Sequence, residues 1–238
     1  MKERARRVIL NTVLILLALA FMARFGRPFV LRTYIDMVLG SCEKIPVLCT
    51  YPTAKIARHE TDKEFLEKLV RYRLPEMEIS MPKDFLVIKE RINKVYYKNR
   101  ERGYAGNVSY LLYERPDFFV NLFPAMRKKG IGDDFEFISH TMRALPRNVD
   151  NLTDTFFVIM KSVFTPNLGD EANLKMVQFA VQDKKGFITY NLSPQGNYFD
   201  CNIINGRKDF FKVYIKDKAG TLSLDNVLSI VSTIKPEG

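Results

Sequence analysis

Glu136 and His140 stand four residues apart with Asp133 one turn earlier, a spacing that puts carboxylates and an imidazole on one side of a predicted helix, where they could approach a metal ion. A metal needs three or four converging ligands, and the chain has two histidines in all. Acids in a first helical turn also favour the helix dipole, and Glu136 with His140 reads equally as a surface pair. His59-Glu60 lacks the second histidine of a zinc-protease motif, and no Gly-x-Ser-x-Gly elbow, phosphate-binding loop or dinucleotide fingerprint occurs. Gly130-Ile131-Gly132 runs into Asp133 and Asp134, whose charge would repel a phosphate, so it reads as a turn between helices. The residue types point to no catalytic site, metal or cofactor, and the expectation is a protein that binds rather than catalyses.

Binding chemistry is concentrated in one basic stretch, Lys89, Arg91, Lys94, Lys98, Arg100 and Arg102, interleaved with Tyr96 and Tyr97. Cations beside aromatic rings can hold single-stranded nucleic acid. They can equally form a docking surface for an acidic protein or lipid headgroups, or a hairpin edge that lysine and arginine keep from pairing with other chains. Of the three cysteines, Cys42 and Cys49 enclose a short loop with Pro46, which admits a disulfide, with two free thiols as the alternative. Cys201 shares one side of a predicted strand with Phe199 and Ile203 and is expected in the core. Leu39-Gly40-Ser41-Cys42 is a faint lipoprotein box, and Arg32 and Asp36 interrupt the apolar stretch that should precede it.

The positioning elements begin with an address. Lys2, Arg4, Arg6 and Arg7 precede an uncharged apolar run over residues 8–23, followed by Arg24, Arg27 and Arg32. Extended to Phe25 past a snorkelling Arg24, the run approaches the roughly 20 residues that span a bilayer. It reads as a signal anchor that leaves the N-terminus in the cytoplasm and the main domain extracytoplasmic, periplasmic or lumenal. Ala18-Leu19-Ala20 leaves a cleaved signal as the other reading. Of the net charge of +10, six units belong to residues 1–32, so the exported part is only mildly basic and nucleic acid is not expected as a partner.

Residues 1–32 are thus read as anchor and flanks, 33–75 as a stalk or helical preface, and 76–238 as an α+β sandwich domain. Thr61 and Glu64 have capping-box spacing, and Phe65, Leu66, Leu69 and Val70 predict a helix that Pro75 stops. From residue 76 the apolar period becomes two, with Met77, Ile79 and Met81 on one face and Pro82 at the end. Short strands are predicted at 85–88, 95–98 and 107–113, and then helices after Pro116, after Asp133 and after Asn151 or Thr153, punctuated by Pro124, Pro146 and Pro166. Two hairpins follow: one turns at Asp183-Lys184-Lys185-Gly186, the other at Asn205-Gly206 through a type I′ turn. Ser223 caps a closing helix with Leu224, Val227, Leu228, Val231 and Ile234 on one face.

The run Met77-Glu78-Ile79-Ser80-Met81-Pro82 and the closing Ser229-Ile230-Val231-Ser232-Thr233-Ile234-Lys235-Pro236 resemble the PsbP-like superfamily, whose members open on a short strand entering a proline and close with hairpins and a helix. The resemblance covers residues 76–238. It implies an α/β/α sandwich and an accessory or assembly protein that binds a partner complex, without a catalytic signature. The functional expectation is therefore a single-pass, membrane-anchored extracytoplasmic subunit that joins other membrane-complex subunits. The alternative is a module binding a lipid or small hydrophobe.

Overall fold

The computed structural model describes residues 26–40, 42–58, 61–74, 76–83, 85–91, 94–99, 105–165 and 174–237, with the backbone alone for 58, 85–91, 94–99 and 105. In chain order the strands are β1 (Ala54–Arg58), β2 (Leu69–Leu74), β3 (Met77–Pro82), β4 (Phe85–Arg91), β5 (Lys94–Asn99), β6 (Ala105–Glu114), β7 (Lys175–Val181), β8 (Lys184–Ser193), β9 (Gly196–Ile204), β10 (Phe210–Asp217) and β11 (Lys235–Pro236). The helices are α1 (Arg27–Val38), α2 (Lys63–Glu67), α3 (Phe118–Leu122), α4 (Asp134–Arg143), α5 (Leu152–Phe164) and α6 (Leu224–Ser232).

Alternation in the last quarter of the chain builds the centre. β7 to β10 pair antiparallel in sequence order inside an eight-stranded sheet, β1-β7-β8-β9-β10-β6-β5-β4, in which β1 alone runs parallel to its neighbour. One set of side chains from these strands, including Phe179, Ile188, Phe199, Cys201, Ile203, Phe211 and Val213, meets Met77, Ile79 and Met81 of a small β11-β3-β2 sheet and Val227, Leu228 and Val231 of α6. Successive strand residues point to opposite faces, so Met176, Phe187, Ile204 and Phe210 face the other way and meet α3, α4 and α5. The layers form the expected α+β sandwich, and Cys201 lies in the core beside Phe199 and Ile203 as its register requires.

Several local expectations are corrected. The helix predicted from Thr61 to Pro75 shrinks to the five-residue α2, capped by Asp62 through Phe65 N–H at 3.1 Å, and its second half is β2. Antiparallel pairing of Leu69–Leu74 with β3, plus Arg71 and Arg73 at 3.4 and 3.0 Å from Glu78, outweighs a helical stripe only two turns long. Within the 33–75 preface, β1 and β2 thus each join a sheet. Gly186 does not make the β7–β8 turn. It lies within β8, where an added Cβ would come 1.9 Å from the Asn202 carbonyl oxygen, and the turn uses Gln182, at φ 51°, and Asp183.

The β9–β10 connection is not a two-residue turn either. Asn205 and Asp209 bond through both backbone and side chains (Asp209 N–H to Asn205 Oδ1 at 2.8 Å, Asn205 Nδ2 to Asp209 Oδ2 at 2.9 Å), and Lys208 takes the positive φ. Paired side chains stabilise a longer loop that the Asn-Gly dipeptide does not announce. Among the described residues no helix is long and apolar enough to cross a membrane; the predicted anchor, 8–25, lies outside them.

Candidate functional site

The described chain enters through α1, whose Pro28 suits a first helical turn and whose end is marked by Gly40 at φ 91°, a conformation that glycine adopts without steric cost. One side of α1 is locked to the body. Ile35 is fully buried with Leu48, Val149 and Val158, flanked by Leu31 and Leu39. Arg32 donates from Nε to the Val149 carbonyl at 3.1 Å and from Nη2 to Asp150 Oδ1 at 3.0 Å. The opposite side carries Phe29, Val30, Tyr34, Met37 and Val38, all exposed, with Phe29 at 71% and Met37 at 76%. The 12-residue helix thus packs through one side and leaves apolar side chains exposed on the other.

The segment after α1 reinforces the joint. Cys42 and Cys49 are paired with Cα atoms 5.7 Å apart, a separation a disulfide spans, and the next residues reach the sheet through Thr53 N–H to the Met176 carbonyl at 3.0 Å and then through β1. Beneath this loop Lys161 of α5 is completely buried. Its ammonium donates to the carbonyls of Thr50 at 2.6 Å, Ala144 at 2.9 Å and Leu48 at 3.4 Å, and burial pulls its pKa down to about 7. One side chain thereby ties α5, the end of α4 and the disulfide loop together. It was missed in the sequence, although a lone lysine in the largely apolar stretch 156–164 is the available sign: a charge on the packed side of a helix must find acceptors.

Arg27, at the head of α1, shares an open groove with Lys129 and His140, floored by Phe157. Arg127, Lys128 and Lys129 end the 3-10 helix Pro124–Lys129, where cations favour the terminal carbonyls. The entry side of the molecule is therefore apolar and mainly basic, with Asp154 as the acid in the groove.

The metal candidates do not converge. Asp133 Oδ1 accepts Glu136 N–H at 2.9 Å, Glu136 Oε2 accepts Gly132 N–H at 2.6 Å, and the His140 ring stacks on Phe157 at 5.5 Å. Among the described residues no group of three or more His, Cys, Asp or Glu is placed to hold a metal. His59 and Glu60 lie outside them. Of the basic stretch, Lys89 and Arg91 fall on β4 and Lys94, Tyr96, Tyr97 and Lys98 on β5, with Lys89 opposite Tyr96 and Arg91 opposite Lys94. β4 is an edge strand of the large sheet, at the end away from β1, while Arg100 and Arg102 lie outside the described residues.

A second buried ionic group lies on the helix-facing side of the central strands. Lys212 of β10 donates to Asp200 Oδ1 and Oδ2 at 2.6 and 2.7 Å, to Asn202 Oδ1 at 3.4 Å and to the Phe164 carbonyl at the end of α5. Burial pushes the Asp200 carboxyl up while Lys212 beside it pulls down, and burial with Tyr198 and Asp200 nearby pushes Tyr214 to about 12. Every proton of Lys212 is engaged, so the pair fixes the end of α5 to the sheet and supplies no nucleophile.

No protein-family model matches this chain. No curated protein is significantly similar to it.

Proposed function

We propose that the protein is a single-pass, membrane-anchored extracytoplasmic accessory or assembly subunit that binds a larger membrane complex. The observation that carries this reading is α1. It follows directly on the apolar run 8–23, has one side locked into the body by Ile35 and Arg32, and turns a second apolar side outward beside Arg27 and Lys129. An anchor joined through a rigid helix holds the sandwich in one orientation and raises its effective concentration near a partner. The apolar and basic entry side suits the bilayer surface and its anionic headgroups. The basic β4–β5 edge, seven strand positions from β1 or roughly 34 Å along the sheet at ~4.8 Å per strand, is left for an acidic partner. The resemblance to PsbP-like accessory proteins over 76–238 agrees with a binding role. Rings fill part of the layer between sheet and helices: Phe119 stacks on Phe137 at 5.3 Å and meets Phe164 and Phe210 edge-on at 5.1 and 5.0 Å.

The test is a mild-detergent pull-down from native membranes through a C-terminal tag, with intact-mass analysis. An uncleaved chain recovered with stoichiometric membrane proteins is expected. Recovery as a lone, monodisperse monomer refutes the subunit reading, and a chain cleaved after residue 20 refutes the anchor.

A further inference from the structure

Arg27 of α1, Lys129 at the end of the 3-10 helix and His140 of α4 line the open groove on the entry side, whose volume of about 530 Å³ falls within the roughly 300–1,000 Å³ of small-ligand sites. Among the described residues neither Arg27 nor Lys129 forms an ion pair, whereas Arg32, further along α1, is taken by Asp150. The acid of the groove, Asp154, is engaged at the head of α5, where its Oδ2 accepts Asp150 N–H at 3.0 Å and Asn151 Nδ2 at 2.8 Å. The His140 ring is held against Phe157. The groove therefore carries more positive charge than its own acid balances, and an anion from outside is its complement.

The source of that anion follows from where the groove sits on the chain. Arg27 stands two residues beyond Phe25, the end of the extended apolar run, at most about 7 Å of chain. On the anchored reading above, on which this assignment rests, Arg27 then lies at the depth of the lipid headgroups. Apolar side chains adjoin the cations: Leu152 lines the same groove and is 63% exposed, and Phe29 and Val30 of α1 are exposed next to Arg27 in sequence. Phosphate joined to hydrocarbon matches that combination better than a free anion does.

We propose that this groove seats the headgroup of one anionic glycerophospholipid. Its phosphate sits between Arg27 and Lys129, with the His140 ring beside them as a further donor, and its acyl chains pass Leu152 and Phe29 toward the anchor. A lipid held there pins the body against rotation about its anchor, a motion that a single spanning helix leaves free.

Native mass spectrometry of the full chain, released from detergent micelles that hold equal amounts of phosphatidylglycerol and phosphatidylcholine, tests the site. One phosphatidylglycerol per chain is expected, retained about fivefold or more over phosphatidylcholine, the factor that one cation beside an anionic headgroup contributes. Arg27→Gln and Lys129→Gln should each cut that retention by about fivefold. Lys235→Gln, which removes the same charge from the small sheet on the opposite side of the large one, should leave it unchanged. Equal retention of the two lipids, displacement of the lipid by an excess of inorganic phosphate, either groove variant behaving as wild type, or Lys235→Gln weakening retention as much as they do would overturn the proposal. A lone or cleaved chain in the membrane pull-down fails the subunit or anchor reading, whereas lost lipid preference in an uncleaved chain fails the groove alone.

Discussion

Replacing Lys161 with methionine separates two effects that the structure gives opposite signatures. The first is an offset present at every pH, because the carbonyls of Thr50, Ala144 and Leu48 lose a shared donor, with three N–H groups when charged and two when neutral, at about 1–3 kcal/mol for each group left unpaired. The second depends on pH. Burial lowers the lysine from 10.5 to about 7 in the folded protein, so between those values the unfolded chain binds a proton that the native chain does not. Stability of the wild type therefore rises with pH across that window, by at most about 1.4 kcal/mol per unit and about 5 kcal/mol in all. The three carbonyl bonds favour the charged form and bring the realised value below that ceiling.

Urea unfolding followed by circular dichroism, at pH 6 to 9.5 for both proteins in the same detergent, reads the difference directly, since the other groups titrate alike in each. The range stops short of Tyr214, which at about 12 in the folded state lowers stability only as pH climbs above its ordinary 10. The wild-type advantage should grow between pH 7 and 9, by up to about 2 kcal/mol. Parallel curves, offset but never diverging, would refute the claim that burial lowers the pKa of Lys161, and curves that coincide would refute its role as a tie as well.

Two further substitutions probe the frame. Cys42→Ser opens the loop closed with Cys49, seven residues away, and should lower stability by about 2–3 kcal/mol by the chain-entropy estimate, an effect that reductant reproduces in the wild type and not in the variant. Gly186→Ala drives a methyl group to 1.9 Å from the Asn202 carbonyl oxygen in the next strand, so β8 and β9 must separate locally. Hydrogen exchange should show lost protection along those two strands first, and unchanged protection there would mean the backbones are not in contact.

Legibility in the sequence followed the range of the interaction involved. β3, the strands of the final hairpins and α6 were readable because alternation and helical periodicity record which side of a local element meets an apolar surface. The cap at Ser223 and the helix starts at Asp133 and at Asn151, the latter left open against Thr153, were readable for a similar reason, since a side chain satisfies an amide only three residues away. α2 and β2 were misread together, because the stripe at Phe65, Leu66, Leu69 and Val70 fits a helix until β3 arrives to pair with its second half. The Cys42–Cys49 pairing was suggested by a short loop, while the carbonyls that Lys161 draws together come from positions 48, 50 and 144.

By itself, then, the sequence determined an apolar, positively flanked run at residues 8–23, an α+β pattern and the inward-facing residues of β3 and β9, since each depends on neighbours within a turn or two of chain. Tertiary structure alone decided that Asp200 and Lys212 form a buried pair, because alternation marks polar positions such as Asp200, Asn202 and Lys212 as one face without saying whether water or a helix covers it. It also decided that α1 has a second apolar side left outside. The same holds for Asp134, which is buried with its Oδ1 on the Phe119 and Val120 amides: burial of a carboxyl group is a property of what the rest of the chain lays over it, and no local spacing encodes that.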